Sequence, residues 1–320
     1  MVKCYYCNRE AVYSRPYEKK PLCLAHFNKS FINRVKRTIS KFKMLQPHDK
    51  VAIGLSGGKD SVVLLHVLSK LMRNFPRSKL IAVTIDEGIR GYREESLEIA
   101  IRHAEELGVE HNIFSFEEFF GQGLDDLLVT LENKQGDRKG ACAYCGILRR
   151  RALNEAALRV GANKLATAHN LDDEAQTVLM NMLRGDLGRF GRNDYEPVFK
   201  HEKFVPRIKP FMLTPEPEIV LYAVFNGLQY QEMPCPHAVE ADRGVIRDML
   251  QMYLERNPGA LFNLVRMGAE LSELLKQQER KERPLKECKI CGNPTAGEIC
   301  KVCAVLYEAG ELDFKTKIDT

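Results

Sequence analysis

Short apolar runs alternate with amphipathic segments between Lys50 and about Leu228. The apolar runs are rich in branched residues and predict five strands: Val51–Leu55, Leu80–Ile85, Val109–Phe114, Lys164–Ala168 and Phe204–Ile208. Apolar residues at helical spacing predict five helices: Ser61–Asn74, Glu94–Leu107, Ile147–Val160, Asp172–Leu183 and Pro215–Asn226, the last capped by Thr214. This alternation predicts an α/β fold with a doubly wound parallel sheet covered on both faces. Because ligands of such sheets bind outside the carboxyl ends of the strands, the loops that follow the strands form the candidate site.

The first predicted strand ends in a turn with the features of a phosphate-binding loop. Its candidate ligand-binding residues are Gly54, Ser56, Gly57, Gly58, Lys59, Asp60 and Ser61. Paired glycines let the backbone approach a ligand closely, and the helix that follows offers free N–H groups to an anion. The loop is not a Walker A motif, which requires a different glycine spacing and a Ser or Thr directly after the Lys. A glycine turn without a ligand is the alternative, but Lys, Asp and two hydroxyls on one turn favour phosphate binding.

Two more strand ends place polar residues on the same rim. The segment from Asp86 to Arg93 is either part of the site or an ordinary turn between a strand and a helix. After the fourth strand, Asp172, Asp173 and Glu174 open a helix, where the helix dipole tolerates negative charge. Helix capping explains part of this cluster, and a carboxylate near a nucleotide indicates a Mg2+ ion or a ribose contact.

Eight metal-ligand residues form two closed sets at the ends of the chain. The N-terminal set, Cys4, Cys7, Cys23 and His26, has the paired spacing of a structural zinc site. The C-terminal set is a Cys4 zinc ribbon made of Cys288, Cys291, Cys300 and Cys303. Four protein ligands leave no open position on either ion, so both zinc sites are predicted to be structural.

The remaining three cysteines are Cys142, Cys145 and the distant Cys235, which lies between two prolines. The arginines that follow Cys145 and a helix start predict lowered thiol pKa values and therefore thiolates. Three interpretations stay open: ligation of an iron–sulfur cluster with one open iron, a persulfide or redox pair, and plain burial.

The composition is that of a globular chain with a mild positive charge. Its 320 residues are 44% hydrophobic and 28% charged, with a net charge of +5. No apolar run is long enough to span a membrane and the start does not resemble a signal peptide, so we expect a cytoplasmic protein. Residues 28–43 predict a helix with an apolar docking face and a basic face, which is either solvated or in contact with nucleic-acid phosphates. We expect three units: residues 1–27, 28–283 and 284–320.

Taken together, the motifs resemble those of the tRNA 2-thiouridine synthetases, within the PP-loop ATP pyrophosphatase superfamily. The resemblance covers the whole chain and rests on five features: Ser56-Gly-Gly-Lys-Asp-Ser61, Cys142-x-x-Cys145, Thr167-Ala-His-Asn-Leu-Asp-Asp-Glu-Ala175, Pro234-Cys235-Pro236, and the zinc sets at both ends. The phosphate loop alone is shared with GMP, NAD, argininosuccinate and tRNA-lysidine synthetases. The terminal zinc sets distinguish the family from the tRNA 2-thiocytidine enzymes.

The resemblance implies a Rossmann-like PP-loop fold and a two-step reaction. ATP adenylates the C2 oxygen of a tRNA uridine, and sulfur then expels AMP. In this scheme Lys59 stabilises the departing pyrophosphate, Asp60 or Asp173 holds Mg2+, and Arg149 reaches the α-phosphate.

The resemblance also implies the cofactors and partners. Cys142, Cys145 and Cys235 would ligate a [4Fe–4S] cluster whose free iron accepts sulfide. The sulfur would come from the C-terminal thiocarboxylate of a ubiquitin-like protein, and the enzyme would be a homodimer. The T-loop 5-methyluridine is the first candidate target, and the wobble uridine is the alternative.

Two other classes of function remain open. A small-molecule amidating synthetase would use the same adenylation without needing the cluster cysteines or the zinc sets. A non-enzymatic zinc-containing RNA-binding module would not need Lys59 or Asp60.

Overall fold

The computed structural model describes residues 2–132, 140–191, 196, 201–240, 243–278 and 285–310. Within these ranges the strands are β1 Tyr13–Arg15, β2 Lys20–Leu22, β3 Lys50–Gly54, β4 Lys79–Asp86, β5 Glu110–Ser115, β6 Lys164–Ala166, β7 Arg207–Ile208, β8 Lys286–Glu287 and β9 Pro294–Thr295. The helices are α1 Leu24–Lys41, α2 Lys59–Met72, α3 Arg93–Leu107, α4 Phe116–Phe120, α5 Leu124–Glu132, α6 Ala141–Arg159, α7 Leu171–Leu183, α8 Leu187–Gly191, α9 Glu216–Phe225, α10 Arg243–Leu254, α11 Ala260–Gln278 and α12 Lys301–Glu308. A 3-10 helix spans Pro236–Glu240. In the described part of the chain, no helix is long and apolar enough to cross a membrane.

The central sheet is parallel and has the order β5-β4-β3-β6-β7. Strand β3 lies in the middle, where Ala52 is in register with Ile81 of β4 and with Leu165 of β6. The chain therefore leaves β3 in one direction and later returns to its other side, which is the doubly wound arrangement that the sequence predicts. The carboxyl ends of all five strands meet at one rim.

Strand residues alternate between two hydrophobic cores, one on each face of the sheet. Val51 and Ile53 belong to the core that includes residues of α1, α2, α7 and α9, whereas Ala52 belongs to the core that includes α5 and α6. The same alternation separates Leu165 from Ala166 in β6. Both faces of the sheet are thus covered, which explains why the strands read as nearly continuous apolar runs.

All five predicted strands and all five predicted helices are present, with shifted ends. The largest shift is in α6, which begins at Ala141 rather than at Ile147 and therefore contains Cys142 and Cys145. The predicted cap at Thr214 is wrong. Helix α9 begins after Pro215, and the buried Thr214 hydroxyl has no hydrogen-bond partner among the described residues. Asp172 instead accepts a hydrogen bond from the backbone N–H of Glu216, at 2.7 Å.

The N-terminal segment is attached to the core by a buried carboxylate. Glu218 of α9 is fully buried and lies 3.0 Å from Arg15 and 3.0 Å from Arg34. The Tyr17 hydroxyl also donates a hydrogen bond to the same carboxylate. Two arginines from different elements thus neutralise one buried charge, joining the β1–β2 hairpin and α1 to the sheet domain.

Helix α1 carries the apolar face that residues 28–43 predict, since Phe31 and Val35 are fully buried. The proposed division at residue 27 falls inside α1, so the three-unit organisation stays a prediction. The other boundary, between residues 283 and 284, lies outside the described residues.

Replacement of the buried Glu218 is expected to destabilise the fold. Glu218→Ala leaves the buried Arg15 with its longer 3.5 Å contact to Glu18, and we expect the free energy of unfolding to fall by about 3–5 kcal/mol. Urea denaturation measures this change. The matched control is Glu110→Ala, which breaks an exposed 2.6 Å pair with Lys79 and should cost less than about 1 kcal/mol. Equal losses in the two variants would contradict a structural role for the buried network.

Candidate active site

The loop between β3 and α2 is shaped by hydrogen bonds among its own hydroxyls. The Ser56 backbone N–H donates to the Ser61 hydroxyl oxygen at 3.1 Å, and the Ser61 hydroxyl donates to the Gly58 carbonyl at 2.9 Å. Gly58 is the N-cap residue of α2, and no side chain caps its N-terminus. The first N–H groups of α2 therefore remain available to an anion at the carboxyl end of β3.

Gly57 is required by both its conformation and its surroundings. Its φ is +82°, in the left-handed region, and a Cβ atom there would lie 2.2 Å from the backbone oxygen of Ser96. The Gly57 carbonyl accepts a hydrogen bond from the Gln231 N–H at 3.0 Å. The loop is thus held between α3 and the segment after α9, and no larger residue fits at this position.

Lys59 lies among carboxylates at the start of α2. Its ammonium group is 2.9 Å from Asp60 and 2.6 Å from Glu216. Burial opposes the charged form, but these two carboxylates raise the pKa of Lys59 to about 12. Lys59 is therefore a permanent positive charge beside the loop.

Asp60 and Asp173 are connected through one asparagine. The Asn170 amide donates to Asp60 at 3.1 Å, and its side-chain oxygen accepts from the Asp173 N–H at 3.0 Å as the N-cap of α7. Arg243 donates to the Asp173 carboxylate at 3.0 Å. Carboxylate oxygens on one rim are the donor set that Mg2+ prefers, although each carboxylate here also has a basic partner.

The three isolated cysteines converge at the same rim. Cys142 and Cys145 lie in the first turns of α6, and Cys235 lies just before the 3-10 helix. The Cys142 thiol donates to the His237 carbonyl at 3.2 Å, which fixes the Cys235 segment against α6. The His237 imidazole is in turn 2.9 Å from Asp125 of α5.

The prediction of a lowered thiol pKa at the start of the arginine-rich helix is wrong for Cys145. Burial raises the pKa of Cys145 to about 11, and the nearby Arg149 charge only partly offsets this effect. Burial also raises the pKa of Cys235. Both thiols thus favour the protonated form in the absence of a metal, because desolvation of a thiolate outweighs one half-exposed guanidinium.

The spacing of these cysteines differs from that of the two terminal sets. In each terminal set, one ligand atom from every residue lies within 4.8 Å of the others, as four ligands of a single ion require. Cys142, Cys145 and Cys235 do not form such a set, yet they lie close enough that a thiolate at Cys142 or Cys235 raises the pKa of Cys145. A multi-iron cluster binds each thiolate through a different iron, so looser convergence of three thiols fits that group.

The terminal sets have the predicted ligands. His26 Nδ1 is 3.4 Å from the sulfur of Cys4, 3.5 Å from that of Cys7 and 3.4 Å from that of Cys23. In the C-terminal set, a hydrogen bond from Cys303 lowers the pKa of Cys300 to about 4 despite burial, which favours a thiolate ligand.

Two residues that sequence reasoning did not assign, Glu87 and Arg93, join the loop to the cysteine helix. Both are buried, and the Glu87 carboxylate is 3.0 Å from Arg93 and 3.7 Å from Arg149. Arg93 donates to the Ser56 carbonyl at 3.3 Å and to the Ile85 carbonyl at 2.6 Å. The sequence signal for these two residues is the polar segment from Asp86 to Arg93, which fits either a loop of the site or an ordinary turn. The structure instead makes it the bridge between the phosphate loop and α6.

A parallel sheet with a glycine loop that opens an uncapped helix is typical of nucleotide-binding α/β proteins. The chain matches the PP-loop domain family over residues 28–254 and the RecR Cys4-zinc finger domain family over residues 285–304. It is 40% identical to the tRNA 2-thiolation protein NcsA of Haloferax volcanii, covering 95% of this chain and 98% of that one. It is 35% identical to the tRNA-5-methyluridine(54) 2-sulfurtransferase of Pyrococcus horikoshii, covering 98% and 96%.

A solved structure agrees over nearly the whole length. The U34-tRNA thiolase NcsA from Methanococcus maripaludis, with its [4Fe-4S] cluster, superposes with a TM-score of 0.83 at 34% identity, covering 98% of each chain. The chain therefore belongs to the family of tRNA 2-thiolation proteins, the sulfurtransferase branch of the PP-loop proteins. This confirms the family that the sequence motifs indicate.

Gly57→Ala is expected to abolish tight ATP binding. The added methyl group meets the backbone of Ser96, so the loop has to move away from its phosphate-binding conformation. Isothermal titration calorimetry measures the affinity. Gly108→Ala is the matched control because its φ is +63° and nothing lies within 4 Å of the added atom. It should lose about 1–2 kcal/mol of stability and keep its ATP affinity. Unchanged ATP affinity in Gly57→Ala would refute the requirement for glycine.

Glu87→Gln is expected to weaken ATP binding by about tenfold, since Arg93 loses the charge that orients it toward the Ser56 carbonyl. Equilibrium binding of ATP at 20 °C or below, where the variant remains folded by circular dichroism, measures the effect. Glu94→Gln, an exposed change in the same segment, serves as the control. Equal affinity in both variants would show that the Glu87 bridge does not position the loop.

Proposed function

We propose that the protein adenylates the C2 oxygen of a tRNA uridine with ATP and replaces that oxygen with sulfur. The observation that carries this proposal is the bridge from Arg93 through Glu87 to Arg149. It joins the glycine loop after β3 to the helix that carries Cys142 and Cys145, which supports a nucleotide site and a sulfur site on one rim of the sheet. An enzyme that only hydrolysed ATP would have no use for the cysteines, and a thiol-transfer protein would have no use for the loop.

The first step uses the phosphate loop. The phosphates of ATP would bind at the backbone of Gly57 and Gly58 and at the N-terminus of α2, which is uncapped. The uridine C2 oxygen attacks the α-phosphorus, a bond to that oxygen forms, and pyrophosphate leaves. Lys59 stabilises the charge that develops on pyrophosphate, and Arg149 stabilises the α-phosphate.

The second step uses the cysteine side of the rim. Sulfide attacks C2 of the adenylated base, the C2–O bond breaks, and AMP leaves with the former carbonyl oxygen. Cys142, Cys145 and Cys235 would hold a [4Fe–4S] cluster, which supplies an open iron position to bind sulfide. The solvent-exposed Cys142 marks the side from which sulfur enters.

The proposal includes further ligands and partners. Asp60 or Asp173 holds Mg2+, and the two terminal sets hold one zinc ion each. A thiocarboxylated ubiquitin-like protein delivers sulfur, and two copies of the chain form a homodimer. All ten cysteines are free of disulfides, which suits the reducing cytoplasm.

The target is a uridine in either of two tRNA positions. The T-loop 5-methyluridine is the first candidate and the wobble uridine is the second. The relative named for 5-methyluridine 54 is 35% identical to this chain, and the relative named for U34 is 34% identical, so both tRNA positions are tested.

Anaerobic incubation of the iron- and zinc-loaded protein with ATP, sulfide and unmodified tRNA tests the proposal. We expect thiouridine in the digested tRNA, with release of AMP and pyrophosphate that depends on RNA. Primer extension across the product locates the modified position. Cys142→Ser is expected to lose thiolation and keep ATP binding, whereas Lys59→Gln should lose release of pyrophosphate.

Other results would contradict the proposal and favour a different function. AMP release without RNA indicates an amidating synthetase for a small molecule. RNA binding without any cleavage of ATP indicates a binding module. Thiolation that survives in Cys142→Ser would remove the cluster assignment.

A further inference from the structure

Two arginines, one in the cysteine helix and one in the strand beside it, have no acidic partner within the described part of the chain. Arg150 of α6 and Arg207 of β7 are neighbours, since the Arg207 guanidinium donates to the Arg150 carbonyl at 2.8 Å. Neither side chain forms an ion pair with any carboxylate among the described residues. Burial, followed by the charge of Arg150, lowers the pKa of Arg207 to about 10. Positive charge is therefore concentrated here without compensation.

Four other basic residues in this region are paired with carboxylates, in contrast to Arg150 and Arg207. Four neighbours have carboxylate partners within hydrogen-bond distance: Lys209 with Glu174 at 2.7 Å, Arg243 with Asp173 at 3.0 Å, Arg189 with Asp186 at 2.7 Å and Arg151 with Glu155 at 3.2 Å. A fold that pairs these four basic side chains with its own carboxylates leaves the guanidinium groups of Arg150 and Arg207, which are linked through the Arg150 carbonyl, for an external anion.

The Arg150 side chain extends toward the N-terminal turns of α6, which carry Cys142 and Cys145. A Cβ atom added at Gly146 would lie 3.4 Å from Arg150 Nη1, so the guanidinium extends back along α6 toward Cys145. Arg150 is solvent-exposed, whereas Arg207 is partly buried and uses only part of its donor set on the Arg150 carbonyl.

The C-terminal zinc set borders the same area. Arg151 approaches the Cys291 sulfur at 3.6 Å, and the Lys203 ammonium donates to the Gly292 carbonyl at 2.9 Å. The two unpaired arginines thus lie between the rim that carries the cysteines and the zinc ribbon.

We propose that Arg150 and Arg207 form a binding site for a backbone phosphate of the RNA substrate, close to the nucleotide that is modified. The inference rests on the proposed function. A base can reach the cysteines only if its own ribose and phosphates lie next to that turn of α6, and two guanidinium groups match a phosphate in charge and geometry. The ATP phosphates are assigned to the loop after β3 and do not need this second site.

Binding of unmodified tRNA to the holoprotein at several salt concentrations tests the inference. Arg150→Gln and Arg207→Gln are each expected to weaken tRNA binding by about tenfold and to reduce the slope of log Kd against log salt by about 1. Arg150→Lys should retain most of the affinity because it keeps the charge. The matched control is Arg77→Gln. Arg77 is exposed and precedes β4 at the amino ends of the strands, opposite the rim, so this variant should bind tRNA like the parent protein.

ATP affinity, measured in parallel, separates the two possible sources of phosphate. Weaker ATP binding with unchanged tRNA binding would assign the site to the nucleotide and overturn the inference. Unchanged tRNA binding in Arg150→Gln, or an equal loss in Arg77→Gln, would also overturn it. Because binding does not require thiolation, an inactive parent protein would reject the proposed function and leave this test intact.

Discussion

The parallel pairing of β3 with β4 on one side and β6 on the other is the constraint on which the site depends. Residues distant in sequence reach one rim only because these three strands run in the same direction. Gly57 follows β3, Glu87 follows β4 and Asn170 follows β6, so each strand delivers one component of the site. A connection that reversed any one strand would send its component to the opposite edge of the sheet.

Burial and charge compete within this rim, and the outcome differs from residue to residue. Lys59 keeps its charge because two carboxylates outweigh its desolvation, whereas Cys145 does not gain a thiolate from one neighbouring arginine. Arg149 is shared between the Cys145 side and Glu87, at 3.7 Å from the carboxylate. The Arg149 side chain is half exposed, whereas Arg93 is buried and donates to two backbone carbonyls.

The sequence predicts the sheet and the loops well because hydrophobic alternation and glycine spacing are local properties. The strand around Ala52 and the conformation of Gly57 follow from a few consecutive residues. Other features depend on partners far along the chain. Helix α5 has leucines at helical spacing, but it is only nine residues long and the prediction did not include it. The burial of Glu87 has no local signal, and the start of α6 was missed because Ala141 to Gly146 shows no amphipathic pattern. The direction of the pKa shift at Cys145 depends on burial, which the spacing of residues in the sequence does not reveal.

Helix α6 shows how one regular element serves several parts of the site at once. Successive residues of a helix point about 100° apart, so adjacent arginines face different neighbours. Arg149 turns toward Glu87, Arg150 lies back over Gly146, and Arg151 reaches Glu155 and the C-terminal zinc set. One turn further, Asn154 hydrogen-bonds the segment that leads into β7.

Since Cys142 and Cys145 open the same helix, a single rigid body fixes the cysteines relative to the phosphate loop, the zinc ribbon and the unpaired arginines. The relative positions of sulfur, nucleotide and RNA would then be set by the angular spacing of residues around one helix rather than by separate mobile loops.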